Sequence, residues 1–322
     1  MATFKYYNFQ VLPINGKTKN LIGSEGYRKI LTDYSRTINK AFRDRKLISV
    51  AHALKNDMHI SFKRIEIKNG FAQGKIIKFN HVDKLTEVYT DKELYENTDK
   101  QSIASSKRFE FDFVFDFNKH IFAIEAPSSL PSEKVLIDAL TSLFTEVVSK
   151  NYETHYITVV ELSDAADLAK VIENAEGYKK VSVEITFSNS DKYEASLTHL
   201  IDEHSRENNI QTIEAVQKPP KNSRSKALSV VILPLVILST KLGNSDITYV
   251  RDGKDYTYHM RDYPVKQSVG RDAKMTDDDY YSQIQTSIFN AEFAARTAEA
   301  TNRRLMESYL RDAASNEIGD VD

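Results

Sequence analysis

The sequence contains no cysteine. That excludes disulfides, thiolate catalysis and zinc sites with sulfur ligands, and it fits a reducing cytoplasm. Long hydrophobic runs are also missing. The longest, ALSVVILPLVIL at 227–238, is interrupted by Pro234 and falls short of the roughly 20 residues that span a bilayer. The start, MATFKYYNFQVL, carries no apolar stretch of the signal-peptide kind. A cytoplasmic protein is therefore expected. No phosphate loop is present, because GSEG and NGFAQG lack the surrounding strand-to-helix pattern. The eight histidines are scattered, and His199 and His204, five apart, do not share a helical face, so no metal pair stands out. Ser223-Arg224-Ser225-Lys226 has the spacing of serine acylases but none of their companion motifs.

What is present is a globular composition: 322 residues, 41% hydrophobic and 10% aromatic. The net charge of −2 hides an asymmetry. Residues 1–80 hold 16 Lys+Arg against 5 Asp+Glu, a net +11, and the remainder is −13. Such a basic segment points to a polyanionic partner, or else to neutralisation within the fold.

KYYNFQVLPI (5–14) reads as a strand, and Ser24 as the N-cap of a helix whose Tyr27, Ile30, Leu31, Tyr34, Ile38 and Phe42 recur at helical spacing. Residues 57–80 form a hairpin turning at Asn69-Gly70, with a slip of phase at Lys63-Arg64 that predicts a bulge. Residues 81–107 are polar and read as a connection. A second hairpin follows over 109–125, then a helix opened by Pro131-Ser132 and running to about 149. HYITVVEL, KKVSVEITF and QTIEAVQ read as strands, and DAADLAKVIENA and 191–208 as helices. PPKNSRS (219–225) has the composition of a linker. The run 226–242 reads as a buried helix kinked by Pro234 and ended by Gly243. DITYVRDGKDYTYHMRDYP is a third hairpin turning at Asp252-Gly253, and a long helix covers 277–315, with a stripe at Tyr280, Tyr281, Ile284, Ile288, Phe289, Phe293, Leu305 and Leu310 that suits a core or a dimer. The class is α+β, antiparallel hairpins interleaved with helices and closed by a long C-terminal helix. The expected division sets residues 1–218 apart from 223–322.

Two acidic constellations invite a metal-dependent nuclease reading. Asp116 and Glu125 have tolerable spacing, but Ala126-Pro127 follows where such cores carry a lysine. Asp57 with Glu66 and Lys68 supplies the acid-x-lysine, yet places it at a hairpin tip. Five phenylalanines, 109 to 117, occupy one face of the strand that carries Asp112 and Asp116, so packing with solvent-facing aspartates is favoured over a metal site. No metal or other cofactor is expected. The basic segment is the better candidate. Lys40, Arg43, Arg45 and Lys46 close the first helix, and Lys63, Arg64, Lys68, Lys75 and Lys78 decorate the first hairpin. Packed side by side they would form one surface for phosphates, with a steep salt dependence.

Three stretches carry a resemblance in layout: MHISFKRIEIKNGFAQGKIIKFNHVDKL, FDFVFDFNKHIFAIEAPSSLPSEKVLIDAL, and DITYVRDGKDYTYHMRDYP ahead of the terminal helix. In their order and spacing, the protein resembles the prophage exclusion (Rex) sensor proteins and similar bacterial phage-defence proteins. The resemblance implies a cytoplasmic homodimer that binds DNA with little sequence preference in abortive infection, with a membrane effector encoded nearby. It carries no motif that transfers individual residues. The leading expectation is thus a non-enzymatic, sequence-nonspecific binder of nucleic acid, duplex DNA above all. A nuclease with an atypical acidic site, and an interaction subunit of a defence or toxin–antitoxin complex, are the alternatives.

Overall fold

The computed structural model describes residues 1–14, 22–99, 102–186, 204–205, 208, 210 and 212–318. The helix expected over 191–208 lies outside these residues apart from 204–205 and 208. The chain runs β1 (Ala2–Pro13), α1 (Gly23–Arg43), β2 (His52–Ala53), β3 (Met58–Ile67), β4 (Phe71–Asn80), β5 (Lys84–Thr86), β6 (Glu93–Glu96), β7 (Arg108–Asp116) and β8 (Ile121–Glu125). It continues through α2 (Glu133–Asn151), β9 (His155–Glu161), α3 (Ala166–Glu173), β10 (Gly177–Thr186), β11 (Thr212–Gln217), α4 (Ile232–Leu242), β12 (Gly243–Arg251), β13 (Lys254–His259), β14 (Lys266–Val269) and α5 (Asp277–Ile318). The fold is α+β, and every strand pair is antiparallel.

The larger sheet has the order β14-β1-β8-β7-β4-β3-β2, with β9 also on β1. One long strand organises it. β1 pairs with β8 along one edge, and its other edge takes β14 at Ala2–Lys5 and then β9 at Tyr7–Pro13. Alternation divides its side chains between two cores. Tyr7, Phe9 and Val11 join Phe111, Phe113, Phe115, Phe117 and Phe122 under α1 and α2. Phe4 and Tyr6 join Val114, Ile121 and Ala123 under α5, which buries Tyr280, Tyr281, Ile284, Ile288 and Ala291 there. Edge-to-face ring pairs such as Phe62–Phe113 (5.0 Å) and Phe9–Phe144 (4.9 Å) fill the first core.

Covering both faces corrects the reading of β7. Asp112 and Asp116, expected in solvent, are 6% and 5% exposed, because α5 lies over their face. The bulge appears where the phase slips: Phe62 pairs with Ile76 and Arg64 with Lys75, leaving Lys63 extra. Gly74 sits opposite, where a Cβ would lie 1.9 Å from the Arg64 carbonyl oxygen, so only glycine fits the close approach.

The smaller sheet has the order β11-β10-β12-β13 and packs its inner face on α4 and α3. It takes two strands from before 219–222 and two from after, and β14 and α5 complete the larger sheet's packing. Hydrogen bonds and core contacts therefore cross the division expected between 218 and 223. Other local expectations shift as well. Ser24 falls inside α1, whose N-cap position is Ile22. Pro234 occupies the first turn of α4, where no amide partner is lost, so it starts the helix instead of kinking it. Gly243 is extended (φ 179°), and its lack of a side chain admits the Glu184 carbonyl beside it. The connection 81–107 contains the β5–β6 hairpin, and the Asn80 side chain accepts hydrogen bonds from Ser105, Ser106 and Lys107.

Candidate nucleic-acid interface

The nine basic residues do not form one surface. Lys63, Arg64, Lys68 and Lys75 lie on the α5 side of the sheet among acids. Lys63 pairs with Glu110 (2.6 Å), Arg64 with Glu66 (3.3 Å) and Lys75 with the buried Asp112 (2.9 Å). Lys68 lies 3.9 Å from Glu66 and 3.4 Å from Asp278 of α5. Lys78 lies toward the opposite face, where it donates to the Ser129 carbonyl (2.7 Å) and stands over the Phe109 ring. Four of the hairpin cations thus each stand beside a carboxylate of the fold, Lys63 sharing Glu110 with Arg108, and Lys78 is held by a carbonyl and a ring instead. The period-2 pattern of the hairpin shows the alternation of faces but not the acids that α5 and β7 bring to them.

The end of α1 is different. Lys40, Arg43, Arg45 and Lys46 are all exposed. The helix terminates in a Schellman pattern: the Lys46 amide donates to the Ala41 carbonyl (2.7 Å) and the Arg45 amide to that of Phe42 (3.2 Å). The motif puts Arg45 in the left-handed conformation, φ 55°, a position that usually belongs to glycine. An arginine there incurs backbone strain that the motif does not require. Its guanidinium reaches Asp99 at 3.0 Å in an exposed pair, the kind that contributes little stability and exchanges readily.

Arg45 borders an open groove of about 510 Å³, within the usual range for ligand sites. Phe42, Leu47, Ile77, Phe79 and Ile103 make its apolar lining, and Arg108, Ser102 and Ser105 supply polar groups with Arg45. Phe42 was expected in the buried stripe of α1, but Ala41 takes that place and Phe42 is 39% exposed. Arg108 pairs with Glu110 at 2.6 Å. Burial pushes the Glu110 carboxyl up, but hydrogen bonds from Lys63 and Arg108 outweigh it and hold the group below the usual carboxylate range. Phe42, Ile103 and Arg108 were missed as site residues. Nothing in their spacing joins residue 108 to residue 45; β7 lying beside β4 does.

The two acidic constellations come apart. Asp57 is in the turn between β2 and β3, where Asn56 and Asp57 both take positive φ (58° and 54°). Aspartate tolerates that backbone, which accounts for its presence. Glu66 lies at the far end of β3, about 30 Å away at the usual rise of an extended strand. Asp116 accepts the amides of Asn118 and Lys119 (2.9 Å each) and so shapes the β7–β8 turn. Glu125 stands across from Asp112, not Asp116, by the register Phe113 to Ile124. Among the described residues no group of three or more metal-ligating side chains comes together. Asp112 is a docking point for α5: Tyr281 donates its hydroxyl to that carboxylate at 2.7 Å. Burial, then that adjoining carboxylate, push the Tyr281 hydroxyl up and keep it a donor.

A family model matches residues 5–286, a span that contains α1, the groove and the α5 docking point. The chain belongs to the DUF4747 family, a domain of unknown function. The match to DUF4747 includes both sheets and about the first quarter of α5. Curated proteins give no match to the chain. No described helix of this DUF4747 protein is long and apolar enough to cross a membrane.

Proposed function

We propose that the protein binds nucleic acid, duplex DNA first, through backbone phosphates and without reading bases, as a binding component of bacterial anti-phage defence. The observation that carries the reading is the end of α1. There Lys40, Arg43 and Lys46 stand exposed beside Arg45, which is held in a strained left-handed turn at the rim of a groove shared with Arg108. Strain of this kind is retained where the side chain's position matters. Arg45 and Arg108 each have a carboxylate partner that a phosphate can replace. The defence setting, the homodimer and the neighbouring membrane effector rest on the resemblance in layout to the Rex sensor proteins.

The test is binding to a 30-base-pair duplex and to its single strands across a salt series, with the DNA inspected afterwards. Tight binding that weakens steeply with salt and leaves DNA intact is expected. The variant Lys40→Glu/Arg43→Glu/Arg45→Glu should lose it, since each phosphate contact contributes a slope of about −0.9 in log affinity against log salt. Unchanged binding in that variant would remove the α1 surface from the reading.

A further inference from the structure

PPKNSRS has the composition of a linker, but the structure folds it into a fixed loop. Lys218 to Arg224 return onto β10, where Tyr178 and Ser225 exchange both backbone hydrogen bonds (2.8 and 2.9 Å). Within the loop, Pro220 to Ser223 close a tight turn. The Ser223 amide and hydroxyl both donate to the Pro220 carbonyl, and Asn222 takes φ 63°, the third-position requirement of a type II turn. The Gln217 side chain ties the loop's far end to Ser225, Ala227 and Ser229.

This turn and the β10 start enclose an open groove of about 800 Å³. Lys179, Lys180, Lys218, Lys221 and Arg224 line it, against Asp255 as its one acidic lining residue. Lys179 is paired with Asp255 (2.5 Å) and Arg224 with Glu176 (3.2 Å). Lys180, Lys218 and Lys221 are exposed with no salt bridge among the described residues. Three cations on the hydrogen-bonded loop face two on β10, and Lys180, Lys218 and Lys221 carry mutual repulsion that a polyanion would relieve, while the fixed loop lowers the ordering cost of binding.

We infer that this groove is a second phosphate-binding site, which takes the phosphodiester backbone of a nucleic acid independently of the α1 surface. The identity of the ligand rests on the proposed function; the phosphate site itself does not. Its apolar lining is Pro219, Pro220 and Val250, and no aromatic ring lines it on which a base could stack, so the groove suits the backbone and not the bases.

The experiment measures calorimetric binding of inorganic tripolyphosphate and of a 30-base-pair duplex to the full chain, to Lys218→Glu/Lys221→Glu, and to Lys40→Glu/Arg43→Glu. Lys180→Gln/Lys218→Gln/Lys221→Gln serves as a milder variant, with thermal unfolding to verify that each is folded. The expected result is groove binding of tripolyphosphate weakened at least about tenfold by the 218/221 variant, whereas the 40/43 variant keeps that groove binding and loses only what the α1 surface contributes. The duplex salt slope should flatten by about 1.8 in the 218/221 variant. Absent tripolyphosphate binding, or binding indifferent to both groove variants, overturns the site and leaves the proposed function standing. Tripolyphosphate binding at the groove without duplex binding by the wild type overturns the nucleic-acid identity and upholds the phosphate site.

Discussion

Single residues show how far a carboxylate's role depends on its neighbours. Asp57 and Asp116 shape turns, Asp112 anchors a helix, and Glu125 is held at an energetic disadvantage. Burial raises the Glu125 carboxyl, with Asp112 adding to the effect while the Asp112 amide, Lys75 and Arg271 oppose it. The native state therefore holds this proton more tightly than the unfolded chain. Its contribution to stability is present below the ordinary carboxylate value and is lost as pH rises through the raised native one. Glu125→Gln removes the ionisation. The urea midpoint of the variant should exceed that of the wild type at neutral pH, and the gap should close toward pH 4. A constant gap would mean that Glu125 has the same proton affinity in both states.

At the level of elements, α1 ends in a compromise. A glycine at position 45 would relax the left-handed turn, and Arg45→Gly should stabilise the protein by about 1 kcal/mol in urea unfolding. The same change should weaken binding to DNA, because it removes a guanidinium from the groove rim. A variant that is both more stable and equally able to bind would show that Arg45 has no part in the interface. The amphipathic stripe of α1 was legible in Tyr27, Ile30, Leu31, Tyr34 and Ile38, all buried. Phe42 broke the pattern because Ala41, three residues on from Ile38, takes the buried place in the last turn and leaves Phe42 on the groove. The α5 stripe divides likewise: Tyr280, Tyr281, Ile284 and Ile288 are core, while Phe289 and Phe293 are 54% and 73% exposed. The side chains of Leu305 and Leu310 lie outside the described residues.

For the whole molecule the decisive feature is that the last elements close the first. β14 pairs with β1, and α5 covers Phe4, Tyr6, Val114, Ile121 and Ala123. A chain ending at residue 261 would expose that face entire. It should fail to fold on its own, seen as lost cooperative unfolding and aggregation, while the full chain should unfold in urea in one transition. Independent, cooperative folding of 1–261 would show that the sheet needs only its α1 and α2 face.

Sequence alone determined the elements. Period-2 alternation, the Asn69-Gly70 and Asp252-Gly253 turns, the phase slip at Lys63-Arg64 and the helical stripes are local signals, and backbone sterics read them locally. The sequence also determined the charge asymmetry, and with it the search for a polyanion. Tertiary structure decided what that charge is available for. α5, arriving some two hundred residues later, brings Asp278 to Lys68 and holds Asp112, the partner of Lys75, so two of the hairpin's cations meet acids that the hairpin itself does not position. Tertiary structure also put Arg108 and Arg45 on the lining of one groove, and turned an apparent linker into a fixed basic loop. Side-chain neutralisation depends on distance in space, and no local pattern encodes which distant carboxylate will arrive.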